Sequence, residues 1–126
     1  MSERLVYLVD DDEAIRRSAG FMLKTSGYQV KAFASGVELL KEAKELPAGC
    51  ILLDVRMPEM DGWTVWERMK SHPELARIPV VILSADKDDG TRARTVGIHE
   101  FLRKPINRRS LVAAANRHCD RQRSAA

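Results

Sequence analysis

Four short apolar runs in this chain each end on polar groups that can do chemistry. LVYLV ends on Asp10, Asp11 and Asp12, and CILL ends on Asp54. PVVIL ends on Ser84, and EFLR ends on Lys104, which is followed by Pro105. Acids, a hydroxyl and an amine together suit a magnesium-dependent phosphoryl site. Hard divalent cations take carboxylate and carbonyl oxygens and keep several waters. An aspartate carboxylate can attack phosphorus and form an acyl phosphate. The transferred group carries its charge on peripheral oxygens, so catalysis is mainly positioning and charge stabilisation. Adjacent side chains at a strand end diverge, so Asp11 is expected to bind Mg2+ directly and Asp10 to assist, directly or through a water. Asp54 adds an oxygen, and a backbone carbonyl just after it completes the protein's share. Lys104 and Ser84 are left to meet the other phosphoryl oxygens. Each residue alone has an ordinary explanation, such as a helix cap, a turn acid or a surface lysine. Their conjunction at four strand ends carries the reading.

The intervening segments must bring these groups together. Residues 5–9, 50–53 and 79–83 are continuous apolar runs, the pattern of buried central strands. Residues 28–33 interleave polar side chains and suit an edge, and 98–103 hold a fifth strand. Between them lie five helices, over about 13–26, from 35 to Pro47, from 61 to near Pro73, over 88–96, and after 107. Asp12, Asp61 and Asn107 are plausible N-caps, Ser35 and Glu38 have capping-box spacing, and Gly27 and Gly97 are left-handed stops. Strict β-α alternation argues for an α/β fold with one parallel sheet covered by helices on both faces. The doubly wound, flavodoxin-like order 2-1-3-4-5 makes strands 1 and 3 neighbours at the switch point. It sets Asp11 beside Asp54, with Ser84 and Lys104 coming in from the far side.

Composition bounds the rest. The 126 residues make one compact domain, with a core of about 4–119 and a frayed tail over 120–126. No apolar run reaches the roughly 18 residues of a membrane span, and the N-terminus has no export-signal pattern. Cys50 and Cys119 form no metal pattern and read as two reduced thiols of a cytoplasmic protein. The net charge of +3 is unevenly placed, with basic residues gathering after Arg103. Arg92, Arg94, Arg103, Arg108 and Arg109 are expected to form a surface that docks an acidic partner; solvated arginines are the alternative. Nothing reads as a DNA-reading helix pair, so no nucleic acid is assigned to this domain itself.

At these residues the chain resembles the receiver domain of two-component response regulators, the CheY-like superfamily, over residues 4 to about 119. The motifs are VDDD at 9–12, LLDVRMPEMDG at 52–62, LSA at 83–85 and KP at 104–105. The resemblance implies that Asp54 is the phosphoacceptor, Asp11 a direct Mg2+ ligand and Asp10 its assistant. Arg56 would offer its backbone carbonyl to the metal. Ser84 would be the switch hydroxyl, Lys104 the phosphate-binding lysine and Phe101 the aromatic switch, with a cis peptide at Lys104–Pro105. Ser84 stands where threonine is commoner, and Phe101 where tyrosine is frequent. Arg56 and Asp86 occupy the positions that tune water attack on the phosphoryl group. They could pair over the site, or Asp86 could orient water. The implied partners are a histidine kinase or phosphotransfer protein, a downstream effector or output domain, and a second copy joined on phosphorylation. The implied signal is a change in the face made by the fourth helix, fifth strand and last helix. That role is a phosphoacceptor in a phosphorelay, not an enzyme acting on external substrate.

Two other classes compete. A haloacid dehalogenase-like phosphatase would use the D-x-D pair Asp10 and Asp12, but Ala14 stands where that family has threonine or valine, and Asp54 goes unexplained. An FMN carrier of flavodoxin type would need a first loop rich in Ser, Thr and Gly, where this chain has three aspartates.

Overall fold

A computed structural model describes residues 4–42, 47, 49–98 and 100–119. The elements run β1 (Leu5–Val9), α1 (Glu13–Lys24), β2 (Gln29–Phe33), α2 (Gly36–Glu42), β3 (Cys50–Asp54) and α3 (Gly62–Lys70). They continue with α4 (Pro73–Ala76), β4 (Val80–Ser84), α5 (Lys87–Val96), β5 (Glu100–Arg103) and α6 (Arg108–His118). The five strands form one parallel sheet in the order β2-β1-β3-β4-β5, as the alternation predicted. The register sets Val9 against Leu53, Asp54 against Leu83 and Ser84 against Arg103. The ends of β1, β3, β4 and β5 are therefore level.

Side-chain alternation divides the core into two layers. Tyr7, Val9, Ile51, Leu53, Val80 and Ile82 pack with Leu39, Trp63, Val65, Met69, Leu75 and Ala93 from α2 to α5. Val6, Leu8, Leu52, Val81 and Leu83 pack on the other face with Ala19 and Leu23 of α1 and Leu111, Ala114 and Ala115 of α6. β1, β3 and β4 are buried throughout, which explains their unbroken apolar runs.

The predicted caps form. Asp12 accepts from the backbone of Ala14 and Ile15, Asp61 from Thr64 and Asn107 from Ser110. Ser35 accepts from the Glu38 N–H, while Glu38 reaches back to the N–H of Ala34. Gly27 and Gly97 adopt φ of 97° and 88°.

Three features differ from expectation. α4 is a sixth, one-turn helix with Pro73 at its start, where the missing N–H costs nothing. Pro73 thus opens a turn as well as closing a helix. The two cysteines are not separate thiols. Both are buried, their Cα atoms lie 4.9 Å apart, within disulfide reach, and the structure joins them between β3 and the end of α6. Apolar spacing after Asn107 points Leu111, Val112, Ala115 and Cys119 inward, but in α6 Ala114 is buried and Val112 only half-buried. Ala43, which apolar spacing places with Leu39 and Leu40 on the inner face of the second helix, and the tail over 120–126 lie outside the described residues.

One close approach fixes the loop after β3. A Cβ on Gly62 would sit 2.6 Å from the Asp54 carbonyl oxygen and 2.9 Å from the Val55 Cα, so α3 starts against the backbone of the site. Gly62→Ala is expected to lower stability by about 1–3 kcal/mol, the usual range for overpacking. Urea unfolding with an unchanged m-value would register it as a lower midpoint.

Candidate phosphoacceptor site

Asp10 follows β1, Asp54 ends β3, Ser84 ends β4 and Lys104 follows β5. The sheet order brings all four to one edge. Asp10 is fully buried, and Asp54 is 2% exposed. Lys104 makes that burial tolerable. Its ammonium donates to Asp10 Oδ2 at 3.0 Å and to Asp54 Oδ1 at 3.1 Å. The second Asp10 oxygen accepts the Asp12 N–H at 2.9 Å. Asp11 is exposed at the rim. Carboxylate oxygens of Asp10, Asp11 and Asp54 nonetheless lie within 4.8 Å of one another. The pairing of Asp11 with Asp54 predicted from topology is present.

The electrostatics reflect this crowding. Burial first, and the Asp10 charge second, push the Asp54 carboxyl up to about 6, against the opposing effects of Lys104 and the Arg56 N–H. Burial acts to lower the Lys104 pKa, but its bonds to Asp10 and Asp54 and their charges outweigh that and raise it. The lysine is a fixed cation between two carboxylates. A dication would relieve the same repulsion. The residues present therefore fit a magnesium site: Asp11 and Asp54 offer oxygens, while both Asp10 oxygens are already engaged, which suits an assisting role.

The remaining predicted residues fall around this centre. Ser84 is buried, and its hydroxyl donates to Asp89 Oδ2 at 2.5 Å and accepts the Asp86 N–H at 3.1 Å. Arg56 sits in the loop after β3, its N–H 3.4 Å from Asp54 Oδ1. Its guanidinium bonds Asp86 at 3.1 Å and Asp89 at 3.3 Å, so of the two readings for Arg56 and Asp86, pairing is the one present. Phe101 is half-buried with its ring on Gly90 of α5, where a Cβ would come within 2.7 Å of it. The Lys104–Pro105 peptide is cis.

Asp89 was missed. It is buried and touches both Ser84 and Arg56, yet in sequence it is one acid among several at the start of a polar helix. The arginine surface does not assemble as expected. Arg92 stacks 4.5 Å from the Trp63 ring centroid. Arg108 turns to the other side of the molecule and donates to Thr25 Oγ1 and the Met22 carbonyl at the carboxyl end of α1, where the helix dipole favours a cation. Arg94, Arg103 and Arg109 remain exposed. Asp12 is spent on the α1 cap, so the D-x-D pairing of the phosphatase reading is not built.

Residues 6–116 match the family model of the response regulator receiver domain. The chain belongs to that family. It is 33% identical over 114 residues to the response regulator protein TmoT of Ectopseudomonas mendocina, covering 89% of this chain and 51% of TmoT. It is 33% identical to the transcriptional regulatory protein GltR of Pseudomonas aeruginosa over 87% of this chain and 46% of that protein. The chain thus spans about half the length of these curated relatives. Among solved structures, chemotaxis protein CheY4 of Vibrio cholerae superposes with a TM-score of 0.84 at 27% identity, over 93% of this chain and 99% of that one. The receiver domain of sensor histidine kinase PA1611 from Pseudomonas aeruginosa, solved with magnesium coordinated in its active-site cleft, gives 0.84 at 26% identity over 93% and 98%.

The raised Asp54 pKa predicts how Mg2+ affinity depends on pH. Above about 6 the carboxylate is already ionised, and below it the metal must displace a proton. The Mg2+ Kd should be flat above that point and rise about tenfold per pH unit below it. Calorimetric titrations across pH 5–8 would show this, and Asp54→Asn should remove the Asp54 part of the slope.

Proposed function

We propose that this receiver domain accepts a phosphoryl group on Asp54 from the phosphohistidine of a histidine kinase or phosphotransfer protein. The observation that carries this reading is the bridging of buried Asp54 and Asp10 by Lys104 beside Asp11. An Asp54 carboxylate oxygen attacks phosphorus. The P–N bond to the donor imidazole breaks, its electron pair goes to that nitrogen, and the nitrogen takes up a proton. Lys104 meets a phosphoryl oxygen and the Ser84 hydroxyl another. Asp11, Asp54 and the Arg56 carbonyl would hold Mg2+, with Asp10 assisting. The ion would neutralise charge between the acids and the phosphoryl oxygens.

Phosphorylation adds charge and three acceptor oxygens. Ser84 and Phe101 both touch α5, through Asp89 and Gly90, so the new charge biases the face made by α5, β5 and α6. That face is the signal read by a downstream effector, an output domain or a second copy of the domain. The domain assists its own phosphorylation and dephosphorylation and turns over no other substrate. The cytoplasm is its compartment, where ATP charges the donor kinase.

Incubation with acetyl phosphate and Mg2+ should give a stoichiometric phosphoprotein labile to hydroxylamine, as an acyl phosphate is. Asp54→Asn should abolish it. Labelling that persists in that variant, or rapid multiple turnover of a phosphomonoester, would falsify the assignment.

A further inference from the structure

The Ser84 hydroxyl has one proton to donate, and Asp89 holds it. Its oxygen also accepts the Asp86 N–H, so the group is engaged on both sides. Asp89 is 5% exposed, and the same carboxylate oxygen that takes the Ser84 proton takes the Arg56 guanidinium at 3.3 Å. A charge-assisted hydrogen bond of this kind is among the stronger ones in proteins. The hydroxyl cannot serve a phosphoryl oxygen without leaving it.

We propose that Asp89 is a positioning residue that holds Ser84 in the unphosphorylated arrangement and couples its release to the first turn of α5. This rests on the reading of Asp54 as phosphoacceptor. The phosphoryl group and the Asp89 carboxylate compete for one proton, and being both negative they repel. When the phosphoryl oxygen wins, the carboxylate keeps Arg56 and loses Ser84. Beside it lies a cavity of about 370 Å3, bordered by Arg56, Asp61, Trp63 and Arg92, which gives the carboxylate room to withdraw without disturbing the core. Gly90, next in sequence, seats the Phe101 ring. Displacing Asp89 therefore also displaces the floor under the aromatic residue. One carboxylate links the hydroxyl, the ring and the helix.

The test uses beryllium trifluoride with Mg2+ as a phosphoryl mimic. Binding is read from tryptophan fluorescence, and acetyl phosphate labelling is run in parallel. Asp89→Ala and Asp89→Leu both remove the acceptor, and the leucine keeps the volume. Either is expected to tighten apparent beryllofluoride affinity about tenfold or more, the scale of a hydrogen bond to a charged group. In a Ser84→Ala background the same substitutions should change affinity by less than about twofold, because their shared interaction is already gone. Wild-type affinity in a folded variant, or equal tightening without the Ser84 hydroxyl, overturns the proposal. A wild-type protein that neither binds the mimic nor labels with acetyl phosphate overturns the phosphoacceptor reading, and the proposal with it.

Discussion

The Lys104 ammonium between two buried carboxylates is the interaction on which the rest depends. Removing one member of a buried charge pair leaves an uncompensated charge, typically at a cost of several kcal/mol. Here one cation serves two anions, Asp10 and Asp54, and the set carries net negative charge before any metal arrives. The Asp54 carboxyl, pushed up to about 6, registers the residual strain. Such a site is stable enough to fold and unbalanced enough to welcome a dication and a phosphoryl group. It also constrains the whole sheet. Asp10 follows β1, Asp54 ends β3 and Lys104 follows β5, so three strands must end level for the triad to exist. The apolar runs behind those ends hold that alignment, buried on both faces by helices.

The two halves of the face made by α5, β5 and α6 are fastened by different means. At one end, Glu100 of β5 is bonded by Arg117 and His118 of α6. Burial acts to raise the Glu100 pKa, but those hydrogen bonds and charges outweigh it and hold the carboxyl below its usual range. Other α6 anchors include the buried apolar residues Leu111, Ala114 and Ala115 and the link from Cys119 to β3. α5 has no comparable apolar grip. Its buried residues are Asp89, Gly90 and Ala93, and its first turns are tied down by Arg56 to Asp86 and Asp89 and by Arg92 on Trp63. An element with few buried apolar contacts lies at the low-stability end of a fold, where local rearrangement is cheapest.

What the sequence disclosed, and what it hid, follows from the range of each interaction. Strands β1, β3 and β4 are unbroken apolar runs, and caps such as Asp61 and Asn107 are satisfied within three residues, so local pattern was enough. The site was legible because its members are chemically distinct and each sits at a strand end. Asp89 was not, because its partners Ser84 and Arg56 are five and 33 residues away and nothing about an acid near a helix start marks it as buried. The meeting of Cys50 with Cys119 spans 69 residues and depends on α6 packing back across β3. Arg108 belongs to a basic cluster in sequence but to the carboxyl end of α1 in space. Charge counted along a chain does not report which face a long side chain reaches.

The polar fastening of α5 suits the role proposed for it. An apolar anchor responds to area and volume, and a new phosphoryl charge changes neither. A carboxylate such as Asp89, bonded to a hydroxyl and a guanidinium, responds directly to an anion arriving at Asp54. A ligand can shift an equilibrium only by its differential interaction with the two states, so a charge signal needs charged contacts that differ between them. Arg56 shares the loop with Asp54 and also bonds Asp86 and Asp89, which puts those contacts at the mouth of the site. The same network that restrains α5 is thus the part of the protein most exposed to the event that must release it.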